Sequence, residues 1–90
     1  MKGSLYIVAT PIGNLKDITI RALEILKKSD YILAESSVRT SKLLNEYNID
    51  KQIITFNKDN EKRKKNSIIK YLCEGLVISL VSDAGTPSIS

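Results

Sequence analysis

Four short apolar runs, separated by three amphipathic stretches, constrain the fold of this chain more than any other feature. The runs are SLYIVAT, YILAE, KQIITF and LVISLV. Short runs that are apolar on both faces are typical of buried parallel strands, whereas apolar side chains spaced three or four residues apart are typical of helices. The order β-α-β-α-β-α-β therefore predicts an α/β fold, a parallel sheet with helices on both faces.

The first two helices are predicted from their caps and apolar stripes. The first begins near Asp17, a favourable N-cap residue. The second is capped by Ser36 or Ser37 and ends at Asn48 in a left-handed conformation. The apolar positions of the two helices are Ile18, Ala22, Ile25 and Leu26, and Leu43, Leu44 and Tyr47.

The third helix is predicted to start at Asp59 or Asn60 and to end at Gly75. Its expected inner stripe comprises Ile68, Ile69, Leu72 and Cys73. Cys73 is the only cysteine, so we expect a buried structural thiol and no internal disulfide.

Composition excludes several classes of site. The 90 residues contain one cysteine and no histidine, so no metal site is expected and a nucleophile activated by histidine is excluded within the segment. No apolar run has the length of a signal peptide core or a membrane span, which predicts a cytoplasmic protein without a membrane partner. No crossover helix follows the fourth run, so the chain is expected to be a truncated fragment of a larger domain.

Most of the net charge of +4 lies in one segment. Between residues 58 and 65 two acids face five cations, namely Lys58, Lys62, Arg63, Lys64 and Lys65. Such a cluster can bind nucleic acid phosphates. A solvated helix face is the alternative interpretation.

Polar loops follow three of the predicted strands. TPIGN follows the first, Glu35-Ser36-Ser37 the second, and SDAGTP the fourth. Ligands of parallel α/β sheets bind outside the carboxyl ends of the strands. If strands one and four are neighbours, two of these loops converge on one cleft. Neither TPIGN nor SDAGTP matches the G-x-G-x-x-G motif or the P-loop motif. Their absence disfavours ordinary dinucleotide or ATP binding.

The residue types in SDAGTP suit a bound small molecule. Ala84 and Gly85 would let the main chain approach a ligand closely. Asp83 could accept hydrogen bonds from ribose hydroxyls or an ammonium group, and Thr86 could donate one. An ordinary tight turn is the alternative. Glu35 is the other acid at a strand end, where it is either a general base or a solvated capping charge.

Long motifs carry a resemblance to a known family. LYIVATPIGNLKDITIRALEILKKSDYILAE, TSKLL and VSDAGTPSIS together resemble the N-terminal part of the ribosomal RNA small subunit methyltransferase I family. The resemblance covers essentially all 90 residues. It places the chain among the tetrapyrrole methylase-like enzymes that depend on S-adenosylmethionine.

The resemblance implies a two-domain enzyme, usually a homodimer, that methylates the ribose 2′-hydroxyl of a cytidine in the decoding region of 16S rRNA. Residues 1–90 would be the N-terminal part of its methyltransferase domain, with the second domain absent. Pro11, Gly13 and Asn14 would border the active cleft. Asn14 and Glu35 would be its catalytic residues. Pro11 and Gly13 would also contact S-adenosylmethionine, and the cofactor wall would comprise Asp83, Ala84, Gly85 and Thr86.

Two segments depart from the family pattern. After Ala34-Glu35 the family usually has Asp-Thr-Arg, where this chain has Ser36, Ser37 and Val38 before Arg39. After Phe56 the family tends toward two histidines, and residues 57–59 here are Asn-Lys-Asp. These changes put activity or substrate choice in doubt.

Two alternatives remain open. One is a methylase of another substrate in the superfamily, a porphyrin precursor or diphthine, although the first loop lacks the GxGPGD-type sequence of those enzymes. The other is a non-catalytic α/β module that binds RNA or a nucleotide through residues 58–65.

Overall fold

The fold follows the predicted order of elements. The computed structural model describes residues 3–10 and 15–82. The strands are β1 (Ser4–Ala9), β2 (Tyr31–Ala34), β3 (Gln52–Thr55) and β4 (Val77–Ser82), and the helices are α1 (Ile20–Lys28), α2 (Ser37–Glu46) and α3 (Glu61–Cys73). A single 3₁₀ turn (Leu15–Asp17) precedes α1.

All four strands form one parallel sheet in the order β1-β4-β2-β3. The last strand in the sequence is thus an interior strand of the sheet. It pairs with β1 from Ser4↔Val77 to Ala9↔Ser82 and with β2 from Tyr31↔Ile78 to Ala34↔Val81. At the start of β1, the Leu76 carbonyl oxygen occupies the place that a Cβ on Gly3 would need.

Alternate side chains of the strands form two separate cores, which confirms a parallel sheet with helices on both faces. On the first face, α1 and α2 pack against Val8, Ile32, Ala34 and Val81. On the second face, α3 packs against Leu33, Phe56, Ile78 and Leu80. β4 is buried on both faces, since Ile78 and Ser79, which point to opposite sides, are each fully buried.

A pair of buried serines joins β4 to the end of α1. Ser29 follows the last residue of α1, and its hydroxyl donates to the Ile25 carbonyl at 2.7 Å. The same hydroxyl is hydrogen-bonded to the hydroxyl of Ser79 on β4. Both groups therefore have partners, as buried polar groups require.

The predicted start of α1 at Asp17 is wrong. The helix begins at Ile20, and Thr19 is its N-cap, with Oγ1 accepting a hydrogen bond from the Ala22 amide at 3.0 Å. Asp17 lies in the preceding 3₁₀ turn. Threonine and aspartate both cap well, so the local sequence allows either, and the structure has Thr19 in this role.

The predicted ends of the other helices are confirmed. Ser36 caps α2, with its Oγ accepting from the Arg39 amide at 3.3 Å. Asn48 has φ 56° and Gly75 has φ 89°, so each reverses the chain in the left-handed region after a helix. Asn60 precedes α3 as its N-cap residue.

The inner stripe predicted for α3 is partly wrong. Ile68 is buried, but Ile69 is 47% exposed and Cys73 is exposed. At 100° per residue, Ile69 and Cys73 lie well around the helix from Ile68. A single helix on this face buries only a narrow stripe, so the expected buried thiol is a surface thiol.

A tyrosine and a lysine connect β1 to α1 at the surface. Lys28 Nζ donates to the Tyr6 hydroxyl at 3.3 Å and lies 4.7 Å from the centroid of its ring. This hydrogen bond and the charge of Lys28 lower the pKa of Tyr6 below its usual value of 10.0. Because the pKa of Tyr6 is lower in the folded state, the folded state is stabilised at pH values above the ordinary pKa of tyrosine. This contribution is lost as the pH falls through the pKa of the folded state.

Core packing predicts a large effect for Ile32→Ala. Ile32 is fully buried in β2, so we expect the free energy of unfolding to fall by about 2–5 kcal/mol. Urea denaturation followed by circular dichroism measures the change. Ile20→Ala is the matched control because Ile20 is 77% exposed, and its effect should stay within about 0.5 kcal/mol. Equal effects at the two positions would contradict the packing described.

Lys28→Met should raise the pKa of Tyr6 toward its ordinary value, because both the hydrogen bond and the positive charge are removed. The tyrosinate absorbance during an alkaline titration, compared with a Tyr6→Phe background, isolates this residue. Lys27→Met is the control, since Lys27 is also exposed and adjoins Lys28, while the hydrogen bond to Tyr6 comes from Lys28. A Tyr6 titration unchanged by Lys28→Met would rule out this interaction.

Candidate functional site

The carboxyl ends of β1 and β4 lie side by side, as the sequence predicts for a shared cleft. Ala9 is the register partner of Ser82. One residue further on, the Thr10 amide donates to the Ser82 carbonyl at 2.8 Å, and Thr10 Oγ1 donates to the same oxygen at 3.1 Å. Two hydrogen bonds thus fix the points from which the TPIGN and SDAGTP loops leave the sheet.

All six predicted cofactor residues, and the predicted catalytic Asn14, lie outside the described part of the chain. Pro11, Gly13 and Asn14 fall in the first gap, and the segment from Asp83 to Thr86 lies beyond Ser82. Their assignments stay predictions.

The described rim at these strand ends consists of small residues. Ala9, Thr10, Ser82 and Ala34 lie at the ends of β1, β4 and β2, and all four have small side chains. Thr10, Ser82 and Ala34 are buried, and the Ser82 and Ala34 carbonyls each accept a main-chain hydrogen bond, from Thr10 and Phe56 respectively.

Glu35 follows β2, the other neighbour of β4. Since Ala34 pairs with Val81, Glu35 lies level with Ser82, one strand spacing of about 4.8 Å away. Its side chain is exposed at the carboxyl edge of the sheet. The predicted acid thus lies beside the end of β4.

The two segments that depart from the family pattern lie next to each other. β2 and β3 are paired, and the Phe56 amide donates to the Ala34 carbonyl at 2.8 Å just beyond the strand ends. The chain leaves β2 toward the α2 face and leaves β3 toward the α3 face. Residues 36–39 and 57–59 therefore follow neighbouring strands at the carboxyl edge of the sheet, where the chain turns toward opposite faces.

Two asparagine side chains form a hydrogen-bond network in the loop before α3. Asn57 Oδ1 accepts hydrogen bonds from the amides of Asp59 and Asn60 at 2.9 and 3.1 Å. In return, Asn60 Oδ1 accepts from the Asn57 amide at 2.9 Å, and Asn60 Nδ2 donates to the Thr55 carbonyl at 3.0 Å. These amide groups hold the end of β3 to the start of α3.

The five predicted RNA-binding cations do not share one environment. Lys58, Lys62, Arg63 and Lys65 are exposed. Lys64 is half-buried, and its Nζ donates to the Thr55 carbonyl at 2.7 Å. Four cations thus face solvent on the α3 side of the sheet, while Lys64 contributes to the end of β3.

Sequence reasoning missed two polar groups at the edge of the sheet. Thr10 and Lys64 both bond to strand-end carbonyls. For Thr10 the signal was its place directly after an apolar run. For Lys64 it was the spacing of four residues from Ile68 on the inner side of α3. Neither signal identifies the carbonyl that is bound.

The described residues lack two other kinds of feature. None of the helices within 3–10 and 15–82 has both the length and the apolar character that a membrane span requires. The same part of the chain contains no group of three or more cysteine or carboxylate side chains arranged to hold a metal ion.

Comparison with known families decides the classification. The family model described as Tetrapyrrole (Corrin/Porphyrin) Methylases matches residues 4–90. The chain belongs to this family. The matched region includes the paired ends of β1 and β4.

Several curated relatives that resemble this chain are named "Ribosomal RNA small subunit methyltransferase I". The protein from Buchnera aphidicola (Acyrthosiphon pisum) is 54% identical over 98% of this chain and 31% of its own length. The Thermotoga maritima protein is 53% identical over 98% and 40%, and the Neisseria meningitidis serogroup A protein is 48% identical over 97% and 30%. The chain thus spans 30% to 40% of the length of these three relatives.

Lys64→Met should destabilise the fold, because the Thr55 carbonyl is deprived of a charged donor in a half-buried position. We expect the free energy of unfolding to fall by about 1 kcal/mol, measured by urea denaturation. Lys62→Met is the matched control on the exposed side of α3 and should leave stability unchanged. If the two variants behave alike, Lys64 has no structural role.

Proposed function

We propose that the protein containing this chain is an S-adenosylmethionine-dependent rRNA methyltransferase that acts on the 2′-hydroxyl of a cytidine in the decoding region of 16S rRNA. The observation that carries the proposal is identity of about half over nearly the whole chain to proteins named as small subunit rRNA methyltransferases. The joined ends of β1 and β4 support it, because the two family loops begin from these adjacent strand ends in the sequence. An rRNA substrate implies a cytoplasmic location.

Residues 1–90 are proposed to be the N-terminal part of the methyltransferase domain. The chain spans only 30% to 40% of the relatives, which leaves room for the remainder of this domain and a C-terminal domain. The complete protein is proposed to be a homodimer. The 90-residue segment alone should have little or no catalytic activity, because the second wall of the cofactor cleft is missing.

Methyl transfer to a ribose hydroxyl requires alignment of the reacting atoms and removal of one proton. When bound, S-adenosylmethionine supplies an electrophilic methyl group on a sulfonium whose leaving group departs neutral. The protein must align the ribose oxygen for in-line attack, and alignment of this kind is worth about 7–11 kcal/mol in well-oriented systems. The 2′-hydroxyl proton is lost as the oxygen–carbon bond forms, so a carboxylate in reach of that oxygen assists the reaction.

Glu35 is the proposed acceptor of that proton, with Asn14 orienting the ribose. Glu35 lies one strand from Ser82, the residue from which the proposed cofactor wall begins. Pro11, Gly13 and the segment Asp83 to Thr86 are proposed to hold the cofactor. The exposed cations of the α3 side are proposed to contact rRNA phosphates.

The proposal is tested by incubating the full-length protein with methyl-labelled cofactor and small ribosomal subunits. Label is expected on a ribose 2′-oxygen of a 16S rRNA cytidine. Label on a porphyrin precursor or on diphthine instead would indicate another branch of the superfamily. RNA binding that falls steeply with salt, without cofactor binding, would indicate a non-catalytic module.

Gly85→Val should abolish cofactor binding in the full-length protein, because the side chain fills the space that the ligand needs. Calorimetric titration with S-adenosylmethionine measures the affinity. Gly75→Asn is the control, because Gly75 ends α3 in a left-handed conformation that asparagine tolerates. Unchanged affinity in folded Gly85→Val would remove Gly85 from the site.

Charge removal on α3 should weaken RNA binding without affecting the cofactor. Replacing Lys62, Arg63 and Lys65 by glutamine is expected to reduce the salt slope of RNA affinity by about one for each phosphate that the variant no longer neutralises. Lys42→Gln on α2 is the control, since its exposed charge belongs to a helix on the opposite face. A slope equal to that of the unmodified protein would exclude α3 from the RNA interface.

A further inference from the structure

The middle of β4 carries a polar side chain on a face that is otherwise apolar. Val81 belongs to the core under α1 and α2, and Ser79 shares its face because side chains alternate along a strand. Ser79 and Ser29 are both fully buried, and their hydroxyls are hydrogen-bonded to each other between the sheet and the end of α1. The strand therefore has a polar contact at a position that an apolar side chain could fill.

The apolar pattern of β4 leaves its register ambiguous in steps of two residues. If the strand moved two residues toward the carboxyl edge, Leu76 and Ile78 would take the places of Ile78 and Leu80. Val77 would take the place of Ser79 on the first face. Because the side-chain period of a strand is two, this shift keeps every side chain on its own face. Hydrophobic burial alone therefore does not select the observed register.

The serine pair distinguishes the observed register from the shifted one. After the shift, Ser79 would lie where Val81 now packs, and its hydroxyl would lose Ser29 as a partner. A buried hydroxyl without a partner is destabilising. Among the residues that the structure describes, no buried side-chain nitrogen or oxygen lacks a hydrogen-bond partner. The observed register is thus the one that satisfies Ser79.

Asp30 makes a second polar contact with β4 from the same connection. Its amide donates to the Val77 carbonyl at 2.7 Å, and the Val77 amide donates to Asp30 Oδ2 at 2.8 Å. Ser29 and Asp30 are adjacent in the segment between α1 and β2. This short segment therefore holds the first half of β4 at two points.

The register of β4 decides what lies at the carboxyl edge. Ser82 is the register partner of Ala9, and its carbonyl accepts hydrogen bonds from the amide and the hydroxyl of Thr10. A strand rises about 3.3 Å per residue, so a two-residue shift would carry Ser82 roughly 7 Å past Thr10. Glu35 would lose its position level with Ser82. A contact in the interior of the sheet thus sets the arrangement of its edge.

We propose that Ser29 and Ser79 are positioning residues that fix the register of β4 and thereby place Ser82 beside Thr10 and Glu35. Both serines act through β4 and not by contact with a ligand, because both are fully buried. The consequence for cofactor affinity rests on the proposed function, in which the segment after Ser82 holds S-adenosylmethionine. The role in the register does not depend on that function.

A comparison of threonine and valine at position 79 of the full-length protein tests the proposal. The two side chains have nearly the same size and branching, and only threonine keeps a hydroxyl for Ser29. We expect Ser79→Val to weaken S-adenosylmethionine binding about tenfold in a calorimetric titration, because the binding-competent register is then a minor population. Ser79→Thr should bind like the unmodified protein. Lower stability alone would leave the affinity of the folded molecules unchanged.

Amide hydrogen exchange at Thr10, measured by NMR without cofactor, reports on the register independently. Movement between registers breaks the hydrogen bond from the Thr10 amide to the Ser82 carbonyl. Ser79→Val should therefore exchange at Thr10 about tenfold faster than Ser79→Thr. If the unmodified protein does not bind S-adenosylmethionine, the proposed function fails, and the exchange comparison still decides the role of the serines.

Equal exchange at Thr10 in the two variants would overturn the proposal, because the hydroxyl would then not set the register. Unequal exchange with equal cofactor affinity would overturn the link to cofactor placement. Ser29→Ala with Ser79→Ala removes both hydroxyls without adding atoms, in case the larger side chains disturb folding. This double variant should behave like Ser79→Val, and exchange at Thr10 equal to that of the unmodified protein would also overturn the proposal.

Discussion

The pairing of β4 with both β1 and β2 is the interaction on which the rest of the structure depends. β4 is contributed by the last described residues of the chain, yet it joins the two strands from the first half. Without it, β1 would have no partner among the described strands. Both cores also include β4 side chains, Val81 on one face and Ile78 and Leu80 on the other.

The same pairing joins the carboxyl ends of β1 and β4. The hydroxyl of Thr10 and the carbonyl of Ser82 are hydrogen-bonded although 72 positions separate them in sequence. Parallel strands all end at one edge, so insertion of β4 places the last residues of β1 and β4 beside Glu35, which follows β2.

The described helices cover the two faces of the sheet to different extents. Two helices cover the first face, and α3 alone packs on the second. This difference accounts for the exposure of Leu5, Ile7 and Ile69, and for the exposed position of Cys73. It also places the exposed cations of α3 on the face of the sheet opposite α1 and α2.

Local chemistry in the sequence determined the order of elements, the caps at Ser36, Asn48 and Gly75, and the polar loops at strand ends, because each depends on residues close together in the chain. Family motifs of ten residues or more determined the classification. Tertiary structure alone decided that Thr19 caps α1, that Lys64 binds the Thr55 carbonyl, and that Ile69 and Cys73 lie at the surface. Each of these depends on which strand lies beneath a helix, and strand order is set by long-range packing that no local pattern encodes.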